Sequence, residues 1–164
     1  MIILGIDPGL ATVGYGVVES VRGSFRAIDC GVILTPKESP LPERLVMIES
    51  SLIKLIDRFL PEEIAMEELF FNNNQKTAIT VAEARGVTLL TCRKRCDKLF
   101  EYTPLQIKQA LTGYGRADKH QIQEMVKRLL NLNKIPRPDD AADALAVALT
   151  HAQTQRFSGK FGIN

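Results

Sequence analysis

The sequence predicts an α/β fold built on five strands. Three strand candidates follow one another near the N-terminus, which indicates an antiparallel meander, and two shorter apolar strands each follow a long helical pattern. The 164 residues and their 45% hydrophobic content suit one domain with a sizeable core. We expect this domain to span residues 1–154 and a loose tail to follow at residues 155–164.

The first strand candidate is the apolar run Ile2–Gly9, which ends in Asp7 and a Pro-Gly turn. Such a run is typical of a buried central strand. A carboxylate at its end is costly unless something pairs with it. Asp7 could therefore cap the turn or act as a ligand, and the run alone leaves both open. The meander continues through Val13–Glu19 and Phe25–Leu34.

Glycines are frequent in the first two strands, at positions 5, 9, 14 and 16. They could let the backbone approach a ligand, and they suit bulges and tight turns equally well. They do not form a dinucleotide-binding fingerprint, because no helix follows within a βαβ unit.

The middle of the chain alternates helices with short strands. Apolar residues at helical spacing predict a core-facing helix over Pro42–Phe59, and a strand follows at Ile64–Glu67. A long helix is expected over Gln75–Cys96, whose small middle residues permit close approach of another helix. The fifth strand is Leu99–Tyr102.

Capping residues predict the last three helices. Thr103 and Pro104 begin a short helix that ends near Leu111, and Asp118 caps a helix that reaches Leu130. The final helix starts near Asp139 and runs through His151.

The final helix has an acidic face. Asp140 and Asp143 are three residues apart, so both project from one side of an alanine-rich helix. The helix dipole favours acidic residues in a first turn, which accounts for Asp139 and Asp140 but less well for Asp143. Only Asp140 has the three-residue spacing, so Asp139 is expected to be the cap.

The fourth strand ends in two carboxylates, Glu67 and Glu68, before the aromatic pair that starts at Phe70. Side chains alternate along a strand, so only one of the two glutamates should face Asp7. The aromatics could stack against a ligand or belong to the core.

Charge and cysteine content narrow the classes of protein. Residues 76–137 carry 13 basic and 5 acidic side chains, a local charge of +8 in a chain of net +2. This indicates a basic face beside an acidic cluster, although solvated lysines would give the same count.

Three cysteines without paired ligand spacing argue against a zinc site and against a disulfide framework. With neither a signal peptide nor a membrane span in the pattern, we expect a cytoplasmic protein without membrane contact.

The four carboxylates come from separate points of the chain, and like charges brought together in the fold repel one another unless a cation lies between them. Oxygen ligands without histidine or thiolate suit Mg²⁺ or Mn²⁺. Two such ions roughly 3.5–4 Å apart can clamp the attacking and leaving oxygens of a phosphoryl displacement. An acidic pocket beside a basic face therefore favours phosphodiester hydrolysis.

The chain resembles the bacterial RuvC-type Holliday-junction resolvases of the ribonuclease H-like superfamily. The residues that carry the resemblance lie in order along the chain: Ile2–Gly9, Gly14-Tyr15-Gly16-Val17, Ile64-Ala65-Met66-Glu67, Phe70, Ala84-Arg85-Gly86-Val87, Gln106-Ile107-Lys108-Gln109, Gly113-Tyr114-Gly115, Lys119, Asp140-Ala-Ala-Asp143-Ala-Leu-Ala and His151. They cover residues 1 to about 151, and the set is highly specific.

The resemblance implies a five-stranded mixed sheet flanked by helices and a magnesium-dependent endonuclease that nicks four-way DNA junctions symmetrically. It implies a homodimer formed through the Gln75–Cys96 helix and a branch-migration motor of the RuvA/RuvB type as partner. Two Mg²⁺ ions per site, replaceable by Mn²⁺, would be held by four residues: Asp7, Glu67, Asp140 and Asp143. Phe70 would stack on bases, and Lys108 and Lys119 would contact the scissile strand.

Other functions remain open at this point. A related ribonuclease H-like nuclease could act on RNA. An actin-like ATPase or sugar-kinase module also uses a strand-Asp-glycine phosphate loop, but it needs two lobes, for which 164 residues are too few. A junction-binding relative without catalysis is disfavoured by the intact carboxylate set.

Overall fold

A computed structural model describes residues 1–69 and 75–154, with the backbone alone at residues 75–77. This part of the chain forms five strands and five helices. In chain order they are β1 (Ile2–Asp7), β2 (Thr12–Val21), β3 (Ser24–Leu34), α1 (Leu41–Phe59), β4 (Glu63–Glu67), α2 (Gln75–Arg95), β5 (Leu99–Tyr102), α3 (Pro104–Thr112), α4 (Lys119–Leu129) and α5 (Asp139–Thr154).

The strands form one mixed sheet in the order β3-β2-β1-β4-β5. The first three strands pair antiparallel, as the meander predicted, while β4 is parallel to both β1 and β5. The predicted five-stranded mixed sheet is therefore confirmed. Parallel pairing places the carboxyl ends of β1, β4 and β5 at one edge of the sheet.

Alternation along the strands divides the core into two layers. Ile3 and Ala65 pack on the side that holds α3, α4 and α5, whereas Leu4 and Ile64 pack on the side that holds α1 and α2. All four side chains are essentially inaccessible to solvent. Asp7 follows Ile3 by four residues, so its side chain lies on the α5 side of the sheet.

Glycines let α5 lie directly on the sheet. A Cβ atom on Gly5 would stand 2.1 Å from the carbonyl oxygen of Ala144, and one on Gly14 would stand 2.1 Å from that of Asp140. Real side chains cannot approach a backbone oxygen so closely. The two glycines therefore serve the close approach of a helix, which sequence reasoning had left undecided between a ligand and a turn.

The other end of α5 is fixed by a buried polar network. The His151 imidazole is fully buried, with Nε2 2.6 Å from Oε2 of Glu63 and Nδ1 2.7 Å from the Tyr102 hydroxyl. Burial lowers the pKa of His151, and the hydrogen bond with Glu63 opposes that shift. Because the network joins α5 to β4 and β5, the helix has little freedom to move along the sheet.

The predicted caps of α3 and α4 are confirmed. Thr103 and Asp118 each accept a hydrogen bond from the third residue of their helix, and the side chains of Gln106 and Gln121 bind back to the cap backbone. Across the described ranges, no helix combines the length and the apolar composition needed to cross a membrane.

Candidate active site

Two of the four predicted metal ligands lie at the ends of adjacent strands. Asp7 is the last residue of β1 and Glu67 is the last residue of β4. The parallel register pairs Ile6 with Met66, which brings the two carboxylates side by side on the edge of the sheet. Both residues are half-buried, so their charges are less screened by water than those of exposed side chains.

The other two predicted ligands come from the first turns of α5. Gly14 is the strand partner of Asp7, and the backbone of Asp140 rests on that glycine. Asp140 is therefore held beside Asp7, and Asp143 follows three residues later on the same helix face. The charges of both aspartates act on the Asp7 carboxylate. The fold thus gathers the four predicted ligands from three elements.

Burial and mutual repulsion make the site unfavourable for negative charge alone. Burial, followed by the charges of Glu67, Asp143 and Asp140, raises the pKa of Asp7 from its ordinary 3.8 to about 8. Burial and the charge of Asp143 raise the pKa of Glu67 from 4.5 to about 7. Burial also raises the pKa of Asp143. A cation among these groups would favour their ionised forms.

The two predicted lysines line one cleft of about 220 Å³ together with Glu67 and Asp143. The Lys119 ammonium donates a hydrogen bond of 3.0 Å to Oδ2 of Asp143. The positive charge of Lys108 stabilises ionised Glu67. The remaining wall of the cleft is mostly apolar and is formed by Pro104, Ile107, Ile122 and Ala146. Cations and carboxylates thus meet in a partly water-excluded groove.

Side-chain rearrangement is needed before these carboxylates could share one ion. Within residues 1–69 and 75–154, no three His, Cys, Asp or Glu side chains are arranged to hold a metal ion. Lys119 is bound to Asp143, and such a contact competes with a metal for that oxygen. The donor set still fits a hard divalent cation, because all four predicted ligands offer carboxylate oxygens.

The structure resolves the two acidic pairs that the sequence left ambiguous. Glu67 shares the α5 side of β4 with Ala65, whereas Glu68 lines a different cleft with Arg85 of α2. The prediction that Asp139 is the cap is wrong, because Asp139 is the first residue inside α5. Its carboxylate is instead paired with Arg137 and Lys119.

Some contacts around the site could not be anticipated from the sequence. Gln123 on α4 is only 4% exposed and hydrogen-bonds with Asp139, although α4 and α5 are separated by an irregular loop. A glutamine on the buried face of an amphipathic helix was the available signal. The predicted stacking residue Phe70 and the tail at 155–164 lie outside the described residues.

The raised pKa values predict that the metal-free protein loses stability as the pH rises. The folded state binds protons at Asp7 and Glu67 more tightly than the unfolded chain does. The resulting stabilisation is complete below the unfolded pKa values and is lost as the pH passes through about 7 and 8. Thermal unfolding in chelator should therefore give a falling midpoint between about pH 5 and pH 9.

Replacing one carboxylate tests the source of this pH dependence. Asp7→Asn should flatten the decline, because the amide has no charge to bury. Asp97→Asn is the matched control, since the Asp97 side chain is 95% exposed, and it should leave the slope unchanged. An equal slope in the Asp7 variant and the parent protein would contradict the assignment.

Comparison with known proteins places the chain among characterised relatives. Residues 3–151 match the family model "Crossover junction endodeoxyribonuclease RuvC". A protein of that description from Alkaliphilus oremlandii is 55% identical over 163 residues, which are 99% of each chain. Another from Clostridioides difficile is 53% identical over 157 residues, covering 96% of this chain and 93% of the relative.

A solved structure agrees with the fold. Thermus thermophilus RuvC in complex with a Holliday junction substrate superposes with a TM-score of 0.91 at 37% identity, covering 99% of this chain and 98% of the other. The sheet order and the flanking helices are therefore those of a ribonuclease H-like fold.

Proposed function

The chain belongs to the RuvC family of crossover junction endodeoxyribonucleases, and on this premise we propose that it resolves four-way DNA junctions by paired, symmetric nicks. The reaction is hydrolysis of phosphodiester bonds, and its cellular role is homologous recombination and DNA repair in the cytoplasm. The observation that carries the proposal is that Asp7, Glu67, Asp140 and Asp143 lie close enough for their charges to interact, next to a cleft that two of them line together with two lysines.

The four carboxylates are the proposed ligands of two divalent cations, Mg²⁺ or Mn²⁺. Bound there, such ions would lower the pKa of the attacking water and neutralise charge on the phosphate. Strand pairing fixes the backbone positions of Asp7 and Glu67, so only side-chain rotation is needed to bring these two ligands to an ion. Asp140 and Asp143 complete the set from a helix that glycines and a buried network hold in place.

Lys108 and Lys119 are proposed to position the scissile strand. Both line the carboxylate cleft, so a phosphate entering it would meet their ammonium groups. Positive charge fixed there stabilises a phosphate that gains charge in the transition state. We assign Phe70, by family resemblance, a stacking role against bases near the junction centre.

The exposed face of α2 supports a homodimer. Ile79 and Leu90 are 68% and 56% exposed, and Ala82 and Gly86 lie between them on the same side of the helix. Small residues between apolar ones permit two helices to approach closely. A two-fold dimer would present two identical sites to a junction that has approximate two-fold symmetry.

Leu90→Arg is expected to turn the dimer into a folded monomer, because a charge would be buried in the helix pair. Leu105→Arg is the matched control, since Leu105 is 54% exposed on the opposite side of the sheet. Sedimentation equilibrium measures the mass, and circular dichroism confirms folding. If both variants kept the same mass as the parent protein, α2 would not be the interface.

One assay tests the proposed function. Purified protein is incubated with a synthetic four-way junction, a linear duplex of the same sequence, or an RNA–DNA hybrid, with and without Mg²⁺. We expect metal-dependent nicks at symmetric positions of the junction and little cleavage of the other two substrates. Preferred cleavage of the hybrid would instead indicate an RNA-directed nuclease.

We further propose that a RuvA/RuvB-type branch-migration motor delivers the junction to the enzyme.

A further inference from the structure

Asp139 is adjacent to the proposed ligands but is not one of them. The Lys119 ammonium lies 3.0 Å from Oδ2 of Asp143 and 3.4 Å from Oδ2 of Asp139. The two carboxylates are four residues apart on α5, so they stand one helical turn from each other. The Lys119 ammonium group therefore bridges Asp143, a proposed metal ligand, and Asp139, which is not a proposed metal ligand.

The Asp139 carboxylate is held in place by groups other than Lys119. The Arg137 guanidinium forms an ion pair with it, and the side chain of the buried Gln123 hydrogen-bonds with it. These contacts come from the loop before α5 and from α4. Asp139 is consequently a fixed acceptor, whereas the Lys119 side chain is flexible and about half exposed.

A divalent cation and an ammonium group cannot both bind closely to one carboxylate oxygen, since their charges repel. A metal that binds Oδ2 of Asp143 therefore displaces Lys119 from that contact. The Asp139 oxygen is already within 3.4 Å of the same nitrogen, so a small rotation of the lysine side chain completes the transfer.

We propose that Asp139 is a positioning residue that receives the Lys119 ammonium when a divalent cation takes Asp143. In the metal-free protein Lys119 neutralises Asp143. In the loaded protein Asp139 keeps the lysine at the rim of the cleft, where a substrate phosphate enters. The inference rests on the proposed function in taking Asp143 as a metal ligand.

Mn²⁺ binding to the DNA-free, full-length protein tests the transfer without measuring cleavage. The free Mn²⁺ signal in electron paramagnetic resonance reports affinity for the parent protein, Lys119→Met, Asp139→Asn and the double variant. Lys119→Met should bind Mn²⁺ about three- to five-fold more tightly, because no ammonium competes for Asp143. Asp139→Asn should bind more weakly, since Lys119 then has only Asp143 as a partner.

The double variant separates this transfer from a general charge effect. Asp139→Asn should lower Mn²⁺ affinity by some factor in the parent protein. In the Lys119→Met background the same substitution should lower it by a factor at least about three-fold smaller. Equal losses in the two backgrounds, or unchanged affinity in Lys119→Met, would overturn the inference and leave the proposed nuclease function intact. A parent protein that binds no Mn²⁺ would overturn the inference and the proposed metal site together.

Discussion

Asp7→Asn is expected to lower single-turnover junction cleavage on the order of 10³-fold or more while binding of the junction changes little. Asp7 ends the central strand β1, which is paired with β2 on one side and β4 on the other, so its backbone position is fixed. The amide keeps the shape of the side chain but removes the charge that would hold a cation.

Loss of cleavage in this variant will not reflect unfolding. Burial raises the pKa of Asp7 to about 8, so the ionised carboxylate destabilises the metal-free fold and the neutral amide does not. The unfolding midpoint at pH 8 should therefore equal or exceed that of the parent protein. Junction affinity, measured in Ca²⁺ or chelator, should stay within about two-fold, because we propose that the phosphate contacts come from the lysines. Cleavage at the parental rate would disprove the assignment of Asp7.

The position of each carboxylate along its element could be predicted from the sequence. Strand-terminal Asp7 and Glu67 were identifiable because parallel strands present their carboxyl ends at one edge. Alternation indicated that only one of Glu67 and Glu68 should face Asp7, and the family resemblance selected Glu67. Ala65 packs toward α5, which places Glu67 on the same side of β4. The strand ends and the alternation depend only on the local geometry of strands, which sequence periodicity reports well, whereas the selection of Glu67 depended on the family resemblance.

Contacts between distant elements could not be predicted in the same way. The hydrogen bond between Gln123 and Asp139, and the buried contact between Glu63 and His151, depend on how α4 and α5 sit on the sheet. Residues 88 positions apart in the chain leave no periodic signal of their pairing. The expectation that Asp139 caps α5 rested on the three-residue spacing of Asp140 and Asp143, and a local rule of this kind does not report tertiary partners.

The glycines of β1 and β2 connect local strand sequence with a contact between distant elements. From the sequence, Gly5 and Gly14 could have served turns, bulges or a ligand. In the fold they remove the side chains that would separate α5 from the sheet by the thickness of a methyl group or more. The acidic helix can therefore bring Asp140 and Asp143 down to the level of Asp7.

Gly14→Ala is expected to damage cleavage far more than stability. The new Cβ would stand 2.1 Å from the carbonyl oxygen of Asp140, a backbone atom that cannot rotate away, so the start of α5 must lift. Overpacking of this kind costs about 1–3 kcal/mol of unfolding free energy. A ligand displaced by about 1 Å can lower the rate on the order of 10²-fold.

Ser20→Ala, near the other end of β2, is the control: it leaves alanine in the same strand but adds no atom, because it only removes a hydroxyl group, and it should preserve both activity and the unfolding midpoint. Chemical denaturation and single-turnover cleavage measure the two effects separately. A Gly14→Ala enzyme that cleaves like the parent protein would mean that Asp140 need not rest on the sheet. Reduced cleavage with modest destabilisation would instead show that this glycine sets the distance between two ligands, one on a strand and one on a helix.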